Sequence, residues 1–299
     1  MTENYRPVIP PDECILGAPT SHVTPNKDGL YNRSGAAFDP ESLKQLLLDH
    51  PEDTSLTSYQ YWAESNWKEE HGTTNALARF REKINEEFRE VVTAIDFDSS
   101  SREAQDGIAS ELGDMLWCLT ALASNSGANL DKGLKQHLFN YLNGTNIIVD
   151  GEPTQPEWYS FTAELSTKFN AIDLSEIDQL IRLGYEPQPS LSINIYNPDG
   201  SEFDTGEHLQ LLLMKSLALI LNCEQQFGLA GPSDRTYSLY SYYLDHALKI
   251  SEQAASCLLE IAYLGNSLGF SLSSIASQNV KKVEARVANK QIDKTDNPR

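Results

Sequence analysis

Five carboxylates stand at helical spacing in two stretches of this sequence. Glu86, Glu87 and Glu90 lie in Lys83-Ile84-Asn85-Glu86-Glu87-Phe88-Arg89-Glu90, and Glu111 and Asp114 lie in Ser110-Glu111-Leu112-Gly113-Asp114. At about 100° per residue, the first three share a helix sector roughly 120° from the apolar face of Ile84, Phe88, Val91, Val92 and Ile95. Glu111 and Asp114 occupy a similarly displaced shoulder of a second helix, whose inward positions are Ile108, Leu112, Met115, Leu116, Leu119 and Leu122. Packed antiparallel, two such helices bring all five acids together beside the core. Like charges that close raise one another's pKa values at a considerable energetic cost unless a cation intervenes. A site of oxygen donors alone suits a hard ion, Mg²⁺ or Mn²⁺. The plainer reading of each acid is a solvated helix shoulder, with Lys83 pairing Glu86 one turn away.

The elements that must position these acids follow from the apolar period. Residues 1–38 carry Pro7, Pro10, Pro11, Pro19 and Pro25 with Gly17, Gly29 and Gly35, and read as an irregular arm. Helical patterning starts after Asp39-Pro40 and runs through segments at roughly 56–70, 74–96, 102–126 and 130–142, a first half spanning 39–143. A connecting segment at 144–206 carries strand signals at Ile147-Ile148-Val149 and a hairpin over 191–204 that turns at Asn197-Pro198-Asp199-Gly200. Helices at 207–228, 236–265 and 272–290 form a second half, 207–299. The fold class is mainly α, a helical bundle with a minor β-hairpin.

The two halves resemble each other. Aligning Gly127 with Gly269 sets Leu116, Leu119, Leu122 and Leu130 on Leu258, Ile261, Leu264 and Leu272, so each half has a long helix ending at a glycine and a second helix after it. In this register Gln253 stands for Glu111 and Ser256 for Asp114. The helix around Lys215 puts Ala218, Leu219 and Asn222 where Glu86, Glu87 and Glu90 would be. The expectation is an internal duplication, a fused pseudo-dimer in which only the first half keeps its acids.

The pattern E-E-x-x-E, twenty intervening residues, then E-x-x-D inside Leu-Gly-Asp-Met-Leu-Trp-Cys-Leu resembles the MazG-like, all-α nucleoside triphosphate pyrophosphohydrolases over residues 58–140. The resemblance implies metal-dependent hydrolysis of an NTP or dNTP to monophosphate and pyrophosphate. It implies Glu87, Glu90, Glu111 and Asp114 as metal ligands for Mg²⁺ or Mn²⁺, Glu86 as general base, and Lys83 among the substrate-binding residues. Trp67, His71 and Asn75 are similar to a segment that lines the nucleotide pocket in some members, although the spacing to Glu87 is about one turn longer. The family's basic helix, I-A-x-x-N-x-x-K-x-x-x-R, is matched only at the C-terminus, where Lys282 and Arg286 lie at i, i+4 and suit phosphates. Trp117 and the tyrosines at 237–243 are candidates for base stacking, but such stripes more often build core. A nucleotide-sensing scaffold without turnover, a dUTPase, or a phosphoribosyl-ATP pyrophosphohydrolase are the competing readings.

Charge bears on partners. The chain has 43 acidic and 23 basic residues, a net charge of −20 and a pI near 4.6, which disfavours nucleic acid and anionic membranes. Residues 281–299 hold six Lys/Arg against three Asp/Glu, leaving −23 for the rest. An anionic substrate therefore needs metal ions and the basic C-terminal helix. No stretch reaches the roughly 18 apolar residues of a membrane helix. Four scattered cysteines form no C-x-x-C pair and read as free thiols, so the expected location is the cytoplasm. A homo-oligomer is compatible with all of this.

Overall fold

The computed structural model describes residues 40–67, 74–96, 102–144, 157–187, 205–228 and 236–288. Ten α-helices occur among them: α1 (Pro40–Asp49), α2 (Leu56–Ser65), α3 (Thr74–Asp96), α4 (Arg102–Asn125), α5 (Leu130–Gly144), α6 (Glu157–Thr167), α7 (Leu174–Arg182), α8 (Thr205–Gly228), α9 (Thr236–Ser267) and α10 (Leu272–Ala288). The described residues hold no sheet, only an isolated antiparallel bridge between Ser55 and Asp173. The protein is all-α. The arm at 1–38 and the strands expected at 147–149 and 191–204 lie outside the described residues. The described part of the connecting segment, 157–187, is itself helical, as α6 and α7.

α4 and α9 are the central helices. The run from Leu112 to Ala123 of α4 is buried throughout, as is that from Ala254 to Ala262 of α9, so these two are covered on every side. α4 is covered by α3, α2, α10 and α9, and α9 by α8, α5, α7 and α4. Their Leu, Ile and Ala content supplies the apolar perimeter that such burial requires. The six positions read as the inward face of α4 are all buried, and Ile84 and Val91 of α3 are fully enclosed with them.

One glycine controls how closely the final helix approaches. A Cβ on Gly113 would lie 3.0 Å from Asn279 Cβ and 3.2 Å from the Ile275 carbonyl oxygen. The backbones of α4 and α10 therefore meet at the residue before Asp114. Cys118, Cys223 and Cys257 are free and buried. Among the described residues, no helix is long and apolar enough to cross a membrane.

Candidate metal centre

α3 and α4 pack along each other and bring their acidic shoulders together. Oxygens of Glu87, Glu111 and Asp114 lie within 4.8 Å of one another. Glu87 and Asp114 are only 2% and 3% exposed. Glu90 is exposed, and its carboxylate lies beside Glu111, whose pKa it helps to raise. Glu86 sits on the outer flank, its side chain 53% exposed, and reaches the Lys83 ammonium at 2.9 Å.

The local charges are compensated from two directions. Lys83, one turn before Glu87, places its Nζ 2.8 Å from Glu87 Oε1. Burial alone would lower the Lys83 pKa, but its hydrogen bonds to Glu86 and Glu87 and their charges hold it above the ordinary lysine value. From the other side comes α10. Asn279 donates its Nδ2 to Asp114 Oδ1 at 2.7 Å, and Lys282 Nζ lies 2.8 Å from Asp114 Oδ2. Lys282 also donates to Ser110 Oγ at 2.8 Å and faces Glu111 at 3.4 Å. Arg286 approaches Asp114 at 3.5 Å. Asn279, Lys282 and Arg286 follow at i, i+3 and i+7, one face of a helix.

Compensation is incomplete at one atom. Glu87 Oε2 is buried without a hydrogen-bond partner. Burial raises the Glu87 pKa to about 7; the Lys83 hydrogen bond opposes the rise and the Asp114 charge adds to it. Burial likewise raises Glu111, with Lys282 pulling it down and Asp114 and Glu90 pushing it up. A buried carboxylate with one oxygen lacking a donor, grouped with two further carboxylates, is the environment a hard cation relieves. Glu87, Glu111 and Asp114, with Glu90 beside them, fit Mg²⁺ or Mn²⁺ by donor type.

The remaining expected residues divide. The Trp67 indole is stacked on Phe80 with ring centroids 3.9 Å apart and tilts against Trp117 at 5.4 Å, so one face of the ring is used in packing. His71 and the side chain of Asn75 lie outside the described residues, as do those of the tyrosines at 237–243. Sequence reasoning did not assign Asn279 or Ser110 to the site. The signal for Asn279 was its position three residues before Lys282 on the same helical face.

Residues 76–137 match the family model of the MazG nucleotide pyrophosphohydrolase domain, a stretch that contains Lys83 and all five carboxylates and excludes α10. No curated protein and no solved structure matches the chain. Over α3, α4 and the first half of α5, the chain is thus similar to the MazG nucleotide pyrophosphohydrolase domain.

Proposed function

We propose that the protein hydrolyses nucleoside or deoxynucleoside triphosphates to the monophosphate and pyrophosphate, with Mg²⁺ or Mn²⁺ held by Glu87, Glu90, Glu111 and Asp114. The observation that carries this reading is the buried Glu87 carboxylate inside the matched domain, one oxygen of which has no hydrogen-bond partner, grouped within 4.8 Å with oxygens of Glu111 and Asp114. When bound, the metal supplies positive charge to the phosphate oxygens and to the departing pyrophosphate. Asn279 fixes the Asp114 carboxylate in place. Lys83 bridges Glu86 and Glu87 and offsets one of their two charges. Glu86, whose side chain is 53% exposed, takes the proton from the attacking water at the α-phosphorus.

Lys282 and Arg286 have a second task. Each is tied to a carboxylate here, and both point from α10 toward the acids of α4. With a cation occupying the carboxylates, these side chains are released to grip phosphate oxygens, for which a guanidinium offers paired donors. The substrate is then a free nucleotide in the cytoplasm, held in a site to which both halves of the chain contribute.

The test is a panel of NTPs and dNTPs incubated with Mg²⁺ and assayed for pyrophosphate. Release that stops on chelation, and in Glu87→Gln, is the expected result. A wild type that turns over none of the panel, phosphoribosyl-ATP and dUTP included, contradicts the enzyme reading and leaves a nucleotide-binding scaffold. Turnover of only one of those two assigns that narrower activity.

A further inference from the structure

The chain contains a second position built like the first. Gly127 and Gly269 close α4 and α9 in the same left-handed conformation, with φ of 72° and 84°. Their bonding is the same at matched residues. Gly127 and Ala128 donate to Ser124 and Ala123 carbonyls, and Gly269 and Phe270 donate to those of Asn266 and Gly265. The next helix in each case has its first amide capped from afar, Leu130 by Gln60 of α2 and Leu272 by Asp178 of α7. Those two caps occupy the same place in their helices, for Gln60 follows Ser55 and Asp178 follows Asp173 at equal spacing. Ser55 and Asp173 pair in the isolated bridge, where Leu56 donates to Ile172 at 2.8 Å and Leu174 donates to Thr54 at 2.9 Å. Packing is reciprocal too. α10 lies on α4 and α5 on α9, while α1 lies on α10 and α6 on α5.

These matches relate α1–α5 to α6–α10 by an approximate two-fold operation, so the packing of α3 and α10 on α4 has a counterpart in the packing of α8 and α5 on α9. At that counterpart the chemistry is gone from both contributing sides. Gln253 and Ser256 replace Glu111 and Asp114, and on α5 Asn140 and Gly144 stand where α10 has Lys282 and Arg286. Where Glu90 stands beside Glu111, Asn222 donates its amide to Gln253 at 2.7 Å. Lys215, the counterpart of Lys83, is paired instead with Glu260, which is fully buried and also bonded to His208. Scattered surface change would have left acids at one position facing no bases, or the reverse. Here the acids of α4 and the bases of α10 are kept together at one position and replaced together at the other, where Lys215 is paired with Glu260 and Glu252 accepts from Asn140 at 2.8 Å.

We infer that the chain is a five-helix duplication with one working composite site, made from acids of α3 and α4 and bases of α10, and that the α5–α8–α9 position binds neither divalent metal nor phosphate. The inference rests on the metal-site reading above. The test is Mn²⁺ binding to the intact chain, followed by loss of the free ion's paramagnetic resonance signal. Glu111→Gln is expected to weaken all binding at least tenfold, whereas Asn222→Ala with Gln253→Ala shifts it less than twofold; helicity by circular dichroism checks each variant. Should the double variant not fold, Gln253→Ala alone, at a partly exposed residue, gives the same comparison. A class of bound Mn²⁺ that survives Glu111→Gln and disappears on changing Gln253 overturns the inference, as does a wild type that binds no Mn²⁺. Turnover of nucleotides alongside such a second class leaves the pyrophosphohydrolase reading intact. Binding confined to α3 and α4 without any turnover does the opposite.

Discussion

Asn279 and Asp114 are 165 residues apart in sequence and 2.7 Å apart in space, both enclosed by protein. The bond fixes one carboxylate oxygen of the matched domain from a helix that the domain match does not reach. Its existence depends on Gly113, since any side chain there would push α10 outward.

Asn279→Ala should therefore weaken metal affinity and kcat/KM by about 10- to 100-fold, the usual effect of losing a residue that orients a ligand. Titration with Mn²⁺ and steady-state rates measure the two quantities. Equal metal affinity in variant and wild type would remove Asn279 from the account.

Gly113→Ala sets two effects against each other. Alanine favours the helix by about 1 kcal/mol, but its Cβ meets Asn279 Cβ at 3.0 Å and a backbone oxygen at 3.2 Å. Backbone cannot yield as a side-chain tip does, and overpacking of this kind costs about 1–3 kcal/mol. Urea unfolding should show a net loss of about 1 kcal/mol, together with reduced turnover as Asp114 loses its donor.

The amphipathic helices α3 and α4 were legible because burial of one face leaves a 3.6-residue apolar period in the sequence, and their acids stand out as a second stripe. α6 and α7 were read as a connecting segment. For α7 the signal was present as a capping box, in which the Asp173 amide donates to Glu176 at 2.8 Å. α6 is crowded with Trp158, Tyr159 and Phe161 and shows no clean stripe. The basic face of α10 was visible as a motif, but only the fold reveals that it lands on Asp114. Contacts between distant helices leave no period behind them, so Asn279 and Gly113 stand in the sequence as motif residues without the contact that joins them.

Stability of the metal-free protein should fall as pH rises from about 4.5 to 7. Burial raises the folded pKa of Glu87 to about 7 from the ordinary carboxylate value of 4.5, so over that interval the native state holds a proton that the unfolded state has released. The stabilisation is complete below the unfolded value and is lost as pH passes the folded one. Its size is on the order of 2–3 kcal/mol. Urea titrations at several pH values check the slope, which Glu87→Gln should flatten.

The pair of Lys215 with Glu260 is expected to matter for folding alone. Lys215→Met leaves the fully buried Glu260 carboxylate bonded to His208 without its ammonium partner, and breaking such a pair costs about 3–5 kcal/mol. The rate per folded molecule should not change. A specific loss of turnover at unchanged stability would place the second half's interior in the catalytic machinery.

Arg286→Ala should lower kcat/KM by about 10- to 100-fold, as loss of a charge-assisted bond to phosphate does. Its side chain is 36% exposed, so the unfolding midpoint should barely move. Unchanged kinetics would confine substrate binding to the first half.

The central claim, attack of water at the α-phosphorus in the α3–α4–α10 site, is tested most directly by turnover in ¹⁸O-labelled water with Mg²⁺. The products are separated and weighed by mass spectrometry. The account predicts one ¹⁸O in the nucleoside monophosphate and none in the pyrophosphate. Label in pyrophosphate or in orthophosphate would contradict it.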